Sequence, residues 1–264
     1  MRLATGNWQL TTDNCYAMKS IERHKLKENE FANTVARTRE MVDQRRNELT
    51  MVIVGAVAVV AIIGGYFAWK SSRDGKAQNL LASALVVAEA PVYTPPPPAP
   101  GSPPPVQPPG TFRTDRERLE AAVPRLQAAA DAYPDSEPGL TARFRLASSL
   151  AELGRFADAE QRYQEVAQKA GSGSIYRYTA RLGLGEAQLA QNKADAAMNT
   201  FKELAADSNS QLPVDGVLMQ LGRAALVAGK KDEATRAFTR VTDEFPQSLY
   251  VTEAKEKIAE LKKA

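Results

Sequence analysis

Hydrophobic and polar positions follow one another along this chain in three different ways, and each predicts a different element. From Leu49 to Trp69 the residues read LTMVIVGAVAVVAIIGGYFAW, without a single charge. At 1.5 Å per residue such a helix is roughly 31 Å long, the thickness of a hydrocarbon core. Tyr66, Phe67 and Trp69 gather at one end, where rings prefer the lipid–water boundary. The pattern predicts one membrane span over 49–69. A buried core helix rarely carries so long an apolar run. A cleaved signal peptide is disfavoured because no A-x-A site follows, and Thr12, Asp13 and Asn14 before Cys15 do not make a lipobox.

The second pattern is a repeat. GRFADAEQRYQEV (154–166), NKADAAMNTFKEL (192–204) and GKKDEATRAFTRV (229–241) share one register. Gly154, Asn192 and Gly229 open them, and Ala159, Ala197 and Ala234 stand five residues later. Tyr163, Phe201 and Phe238 follow four residues after the alanines. A weaker copy sets Ala122, Leu126, Ala129 and Pro134 in the same phase, so the alanine spacings are 37, 38 and 37. The opening residue suits a left-handed helix cap. The alanine admits a close antiparallel neighbour, and the aromatic on the same face fills the next groove. Amphipathic runs precede each copy: TARFRLASSLAEL, YTARLGLGEAQLAQ and DGVLMQLGRAALVA. Pro134 and Pro246 end second helices. No hairpin of this kind buries its apolar stripe alone, so the copies must stack. The expectation is an all-α chain, a single transmembrane helix plus an α-solenoid of helical hairpins over 112–264.

The third pattern lies between them. TPPPPAPGSPPPVQPPG (94–110) holds ten prolines in seventeen positions and excludes helix and sheet. Counting back from Ala122, the first hairpin has its second helix near 115–133, interrupted or kinked at Pro124. Its first helix is missing unless KAQNLLASALVVAEA (76–90) supplies it. Leu80, Leu81, Ala84, Leu85 and Ala88 form an apolar stripe there that needs cover. We therefore expect 70–90 to be the first helix of repeat one, and 91–111 to be a proline-rich disordered loop inside a hairpin instead of a tether.

Charge adds orientation and removes functions. The chain has 34 Lys/Arg and 31 Asp/Glu, a net +3. Residues 111–264 hold twenty-two of each sign, and a balanced domain gives no support for nucleic-acid binding. Arg37, Arg39, Arg45 and Arg46 precede the span, with Lys70, Arg73 and Lys76 after it. The positive-inside rule favours a cytoplasmic N-terminus and a repeat domain on the outer face. Residues 18–48 read as a juxtamembrane helix, with Phe31, Val35 and Val42 near one face. Residues 1–17 show no periodicity and receive no structure, and Met18 is an alternative start to Met1. With one cysteine, Cys15, no internal disulfide forms.

The repeat resembles the tetratricopeptide repeat. Leu146-Ala147, Leu184-Gly185 and Leu221-Gly222 stand at its Leu-Gly pair, and the alanine, aromatic and proline positions match. Arg143 and Arg181 stand where that family has an early Trp, and Leu150, Gln188 or Ala225 replaces its later Tyr. The period exceeds the family's usual one by three or four residues, which longer loops between hairpins would explain. A short cytosolic helix, one span and a repeat domain is similar to the ancillary subunit of the SecYEG translocon. The closing AFTRVTDEFPQSLYVTEAKEKI also resembles the periplasmic cell-division coordinator and the outer-membrane assembly lipoprotein. These resemblances imply a bacterial inner-membrane protein with a periplasmic repeat domain, acting as an interaction scaffold or chaperone-like adaptor. They equally allow a structural coordinator of cell-wall or outer-membrane assembly.

No catalytic constellation is visible. His24, the one histidine, has no nucleophile placed beside it. GSGS (171–174) lacks the Lys of a phosphate loop and reads as a turn. Neither a cofactor nor a metal-ligand cluster is implied, and the chain is not expected to be an enzyme. Binding is the better hypothesis, with proteins or peptides as partners, translocon subunits or envelope proteins among them, and the bilayer holding the span. First helices of stacked hairpins line the inner face. The repeat phase projects Phe144, Ser148, Leu182, Glu186, Met219 and Arg223 onto it, with packing inside the domain the alternative for each. The family's clamp for a C-terminal carboxylate needs Lys and Asn at set positions. Here they hold Arg145 and Ser148, Gly183 and Glu186, and Gln220 and Arg223, so that mode is not expected.

Overall fold

The computed structural model describes residues 46–95 and 106–263. Residues 1–17, nearly all of the expected juxtamembrane helix and the centre of the proline tract lie outside them. The chain forms two compact units, one ending at Trp69 and the other beginning at Lys70.

Helix α1 (Arg46–Ala88) contributes to both. The expected span over 49–69 lies in this one helix, as does most of the helix expected over 70–90. No proline falls between Trp69 and Ala90, and a lone Gly75 costs a helix only about 1 kcal/mol. In the first unit its apolar side chains, from Met51 to Trp69, are exposed. Among the described residues this is the one helix long and apolar enough to cross a membrane.

In the second unit the last turns of α1 pack against α2 (Asp115–Ala132). Ala77 and Ala84 are buried. Ala84 shares a core with Ala122, Leu126 and Leu146, and Val87 and Ala88 pack onto it. Leu81 lies against Ala129, Ala130 and Ala142, and the Arg73 guanidinium stands 5.9 Å from the centre of the Tyr133 ring. Rising numbers on α1 meet falling numbers on α2, so the two run antiparallel. The chain between them is closed at its base by backbone bonds. Phe112 N–H donates to the Pro91 carbonyl (3.1 Å) and Tyr93 N–H to the Phe112 carbonyl (2.8 Å), an isolated parallel bridge of Val92 with Phe112. Pro124 lies inside α2 without ending it.

Three further hairpins follow: α3 (Glu137–Glu152) with α4 (Phe156–Lys169), α5 (Ile175–Ala190) with α6 (Ala194–Ala206), and α7 (Val214–Val227) with α8 (Lys231–Glu244). A last helix, α9 (Val251–Lys263), packs on α8. The hairpin turns repeat in detail. Gly154, Asn192 and Gly229 have φ of 76°, 59° and 71°. Each donates its N–H to the carbonyl three residues back, and the next residue donates to the carbonyl five back. These are the two bonds of a Schellman cap. Ala159, Ala197 and Ala234 are fully buried.

Three glycines of the first helices, Gly183, Gly185 and Gly222, are seats for rings. A methyl added to Gly185 would fall 2.5 Å from Phe201, and one on Gly222 would fall 2.4 Å from Phe238, both within the same hairpin. In the first of the three hairpins Ala147 takes that position. There the Tyr163 ring lies against Gly183 of the next hairpin, 2.5 Å from where its methyl would be. Arg143, where the family has Trp, is buried. It donates to the Ala130 carbonyl (3.3 Å) and its Nε stands 3.1 Å from Glu165. Arg181 repeats the arrangement with Glu203 at 2.7 Å.

Candidate protein-docking face

Stacking sets the first helices side by side: α3 touches α5, and α5 touches α7. They form one continuous face of the second unit, the inner face of a helical-hairpin stack.

Its centre lies between α3 and α5. Tyr163 reaches out of α4 and donates its hydroxyl to Ser148 Oγ (3.1 Å). The half-buried Phe144 ring packs edge-on against Tyr163 (5.9 Å) and against Tyr176 at the start of α5 (5.5 Å). Burial pushes the Tyr163 hydroxyl above its ordinary pKa; the Ser148 hydrogen bond opposes this, and the Glu186 and Glu152 charges add to it. Leu182 is half-buried on α5 and Glu186 is exposed one turn further. Glu186 accepts a hydrogen bond from Gln220 of α7 (3.2 Å). Its carboxyl reaches water, yet the protein crowded around it on this face removes part of its hydration. That loss raises its pKa, with Arg223 pulling the other way.

Of the six residues projected here, Phe144, Ser148, Leu182, Glu186 and Arg223 keep accessible surface. Met219 does not, and its assignment to the groove is corrected: it is 1% exposed and part of the core. The cause is α9, which occupies the place of a further first helix. Ala254 of α9 shares a core with Met219, the Tyr250 ring covers Gly216, and Arg223 is drawn into an ion pair with Glu253 (2.7 Å). The sequence projection missed Tyr163, Tyr176 and Gln220. Tyr163 carried a signal, being the one hydroxylated ring at a position that is Phe in the other two copies.

Ion pairs on the opposite rim bind hairpin to hairpin. Lys193 meets Glu160 (2.7 Å), Lys230 meets Asp195 (2.7 Å), and Lys202 pairs with Glu233. Burial pushes the Glu160 carboxyl up, but hydrogen bonds from Lys193, Gln191 and Gln188 outweigh it and hold its pKa below the ordinary value. Among the described residues no cluster of His, Cys, Asp and Glu is placed to hold a metal.

Stacked helical hairpins with an open inner face define a repeat scaffold. The model of the tetratricopeptide repeat-like domain family matches residues 45–262, and the chain belongs to that family. Solved structures similar to it include TPR-like repeats attributed to a kinesin light chain of Podosopora anserina. There the identity is 16% and the TM-score 0.48, over 55% of this chain and 78% of that one. The MamA RS-1 ArsTM double mutant is 16% identical with a TM-score of 0.43, over 56% and 87% of the two chains. No curated protein matches.

Proposed function

We propose that this protein is a membrane-anchored interaction scaffold whose inner face receives an extended or helical segment of a partner protein. The observation that carries the reading is the row Phe144, Ser148, Leu182 and Glu186, in one register on adjacent first helices and still open to solvent. Aromatic and aliphatic surface beside polar groups at fixed spacing suits a peptide. The apolar part of α1 anchors the scaffold in a bilayer. The flanking cations favour a cytoplasmic N-terminus and a periplasmic repeat domain, and the resemblance to the translocon's ancillary subunit favours work beside protein export.

A photoreactive side chain at Leu182, activated in intact membranes, tests the reading. Crosslinks to translocon subunits or to chains in transit support it. Crosslinks only to wall or outer-membrane assembly proteins would replace it with a structural role in the envelope. A reporter fused after Ala264 that works only in the cytosol would reverse the orientation.

A further inference from the structure

The second unit has two edges, and they differ in charge. One carries the turns within the hairpins, 154–158 (GRFAD), 192–195 (NKAD) and 229–233 (GKKDE), each with ions of both signs. The other carries the loops between hairpins. There 171–175 (GSGSI), 208–213 (SNSQLP) and 246–250 (PQSLY) hold not one charge among them. Gly, Ser, Asn and Pro serve the turning of the chain. Ile175 and Leu249 do not, and they are 42% and 97% exposed. Aliphatic side chains are exposed at the charged edge too, Val92 and Val227 among them, so exposure alone does not separate the edges. The absence of charge does, and so does the entry of α1.

α1 joins the second unit at the uncharged edge. Lys70 is the first residue past the apolar run, and Arg73 stands three residues on, about 4.5 Å along the helix. The Arg73 guanidinium lies 5.9 Å from the centre of the Tyr133 ring, at the start of the first loop between hairpins. The Asp135–Lys169 pair (3.5 Å) ties that loop to the end of α4, where the uncharged stretch 171–175 begins. The headgroup region is about 5–7 Å deep on each side of a bilayer. An anchor whose apolar run ends at Trp69 thus brings Arg73, and with it the Tyr133 loop, to headgroup depth. We propose that the uncharged edge rests on the headgroup layer of the bilayer that holds α1, with Ile175 and Leu249 turned toward the acyl boundary. The inference rests on the membrane-anchored reading above. Continuity with the span names the occupant, and the chemistry of the loops agrees. They carry no cations to seek anionic lipid, and hydroxyl, amide and aliphatic groups suit a neutral headgroup layer.

The test uses the full chain in phosphatidylcholine vesicles that contain a lipid with a nitroxide just below its headgroup. Cys15→Ser removes the one native thiol. Single cysteines then carry a fluorophore: Ser172→Cys or Gln247→Cys on the uncharged edge, Ala157→Cys or Lys231→Cys on the charged edge, and Ala68→Cys in the span. All five positions are exposed, and circular dichroism verifies that the variants keep their helix content. We expect nitroxide quenching at Ser172 and Gln247 to be at least twice that at Ala157 and Lys231, and to persist in high salt. Quenching on the uncharged edge no greater than on the charged one, with Ala68 quenched, would overturn this inference and leave the anchored scaffold standing. Loop quenching that salt abolishes would overturn the neutral contact in the same way. Ala68 left unquenched would overturn both the inference and the anchor.

Discussion

Glycine in the middle of a helix normally weakens it, and replacing Gly222 by alanine tests whether the Phe238 ring reverses that rule. In open space the change would add up to about 1 kcal/mol of helix stability. Here the new methyl would lie 2.4, 2.6 and 2.8 Å from three carbons of the Phe238 ring, against about 3.5–4.0 Å for an unstrained contact. The ring cannot simply retreat, because Phe238 is 0% exposed and packed among Val241, Leu218 and Ala234. Overpacking of a filled core costs about 1–3 kcal/mol; contacts this short call for the upper part, about 2–3 kcal/mol, and subtracting about 1 kcal/mol of helix propensity leaves a net loss of about 1–2 kcal/mol for Gly222→Ala. For a domain of this size that lowers Tm by about 2–8 °C, read by circular dichroism of the full chain in detergent. Gly216→Ala is the internal control. Its methyl would stand 3.6 Å from the Tyr250 ring, an ordinary contact, and stability should hold or rise. A double cycle with Phe238→Leu should recover part of the Gly222→Ala loss, since the smaller side chain frees the seat. Gly222→Ala as stable as wild type, or more so, would refute the ring-seat argument.

Three further outcomes follow from individual contacts. Asn192 holds a left-handed φ of 59° at the turn where its counterparts are glycines, so Asn192→Gly should stabilise the middle hairpin slightly, whereas Gly229→Ala should cost about 1 kcal/mol. Arg143→Ala removes the buried partner of Glu165 and a bond to the Ala130 carbonyl. Glu165 keeps Arg162 and some water, so the loss in chemical denaturation should be about 2 kcal/mol, below that of a fully buried pair. Because burial raises the Glu186 pKa above 4.5, the folded state binds its proton more tightly than the unfolded chain. The ionised form therefore costs stability, a cost absent at acidic pH that grows as pH rises past 4.5. Carboxyl-carbon NMR titration should find Glu186 titrating late, and later still in Arg223→Gln, where the opposing charge is lost.

Much of the solenoid was legible in the sequence because its determinants are local and periodic. A left-handed cap must be Gly or Asn, and a close helix approach must be a small residue. Gly154, Asn192, Gly229 and the three alanines therefore announced their roles. What stayed hidden depends on neighbours far along the chain. Met219 occupies the same phase as Phe144 and Leu182, and only the arrival of α9 puts it in the core. Ala147 stands at a Leu-Gly position, and the consequence, a tyrosine seated on Gly183 of the next hairpin, involves two repeats at once. The backbone bridge between Pro91–Tyr93 and Phe112 likewise has no pattern in either segment taken alone.

The central claim, that the face lined by first helices is where the partner sits, is tested most directly by amide hydrogen exchange. The full chain would be measured alone and bound to the protein captured from Leu182. The account predicts slowed exchange in α3, α5 and the open edge of α7, centred on Phe144 to Ser148 and Leu182 to Glu186, with little change in α4, α6 and α8. Protection confined to the second helices, or to α9 alone, would contradict it.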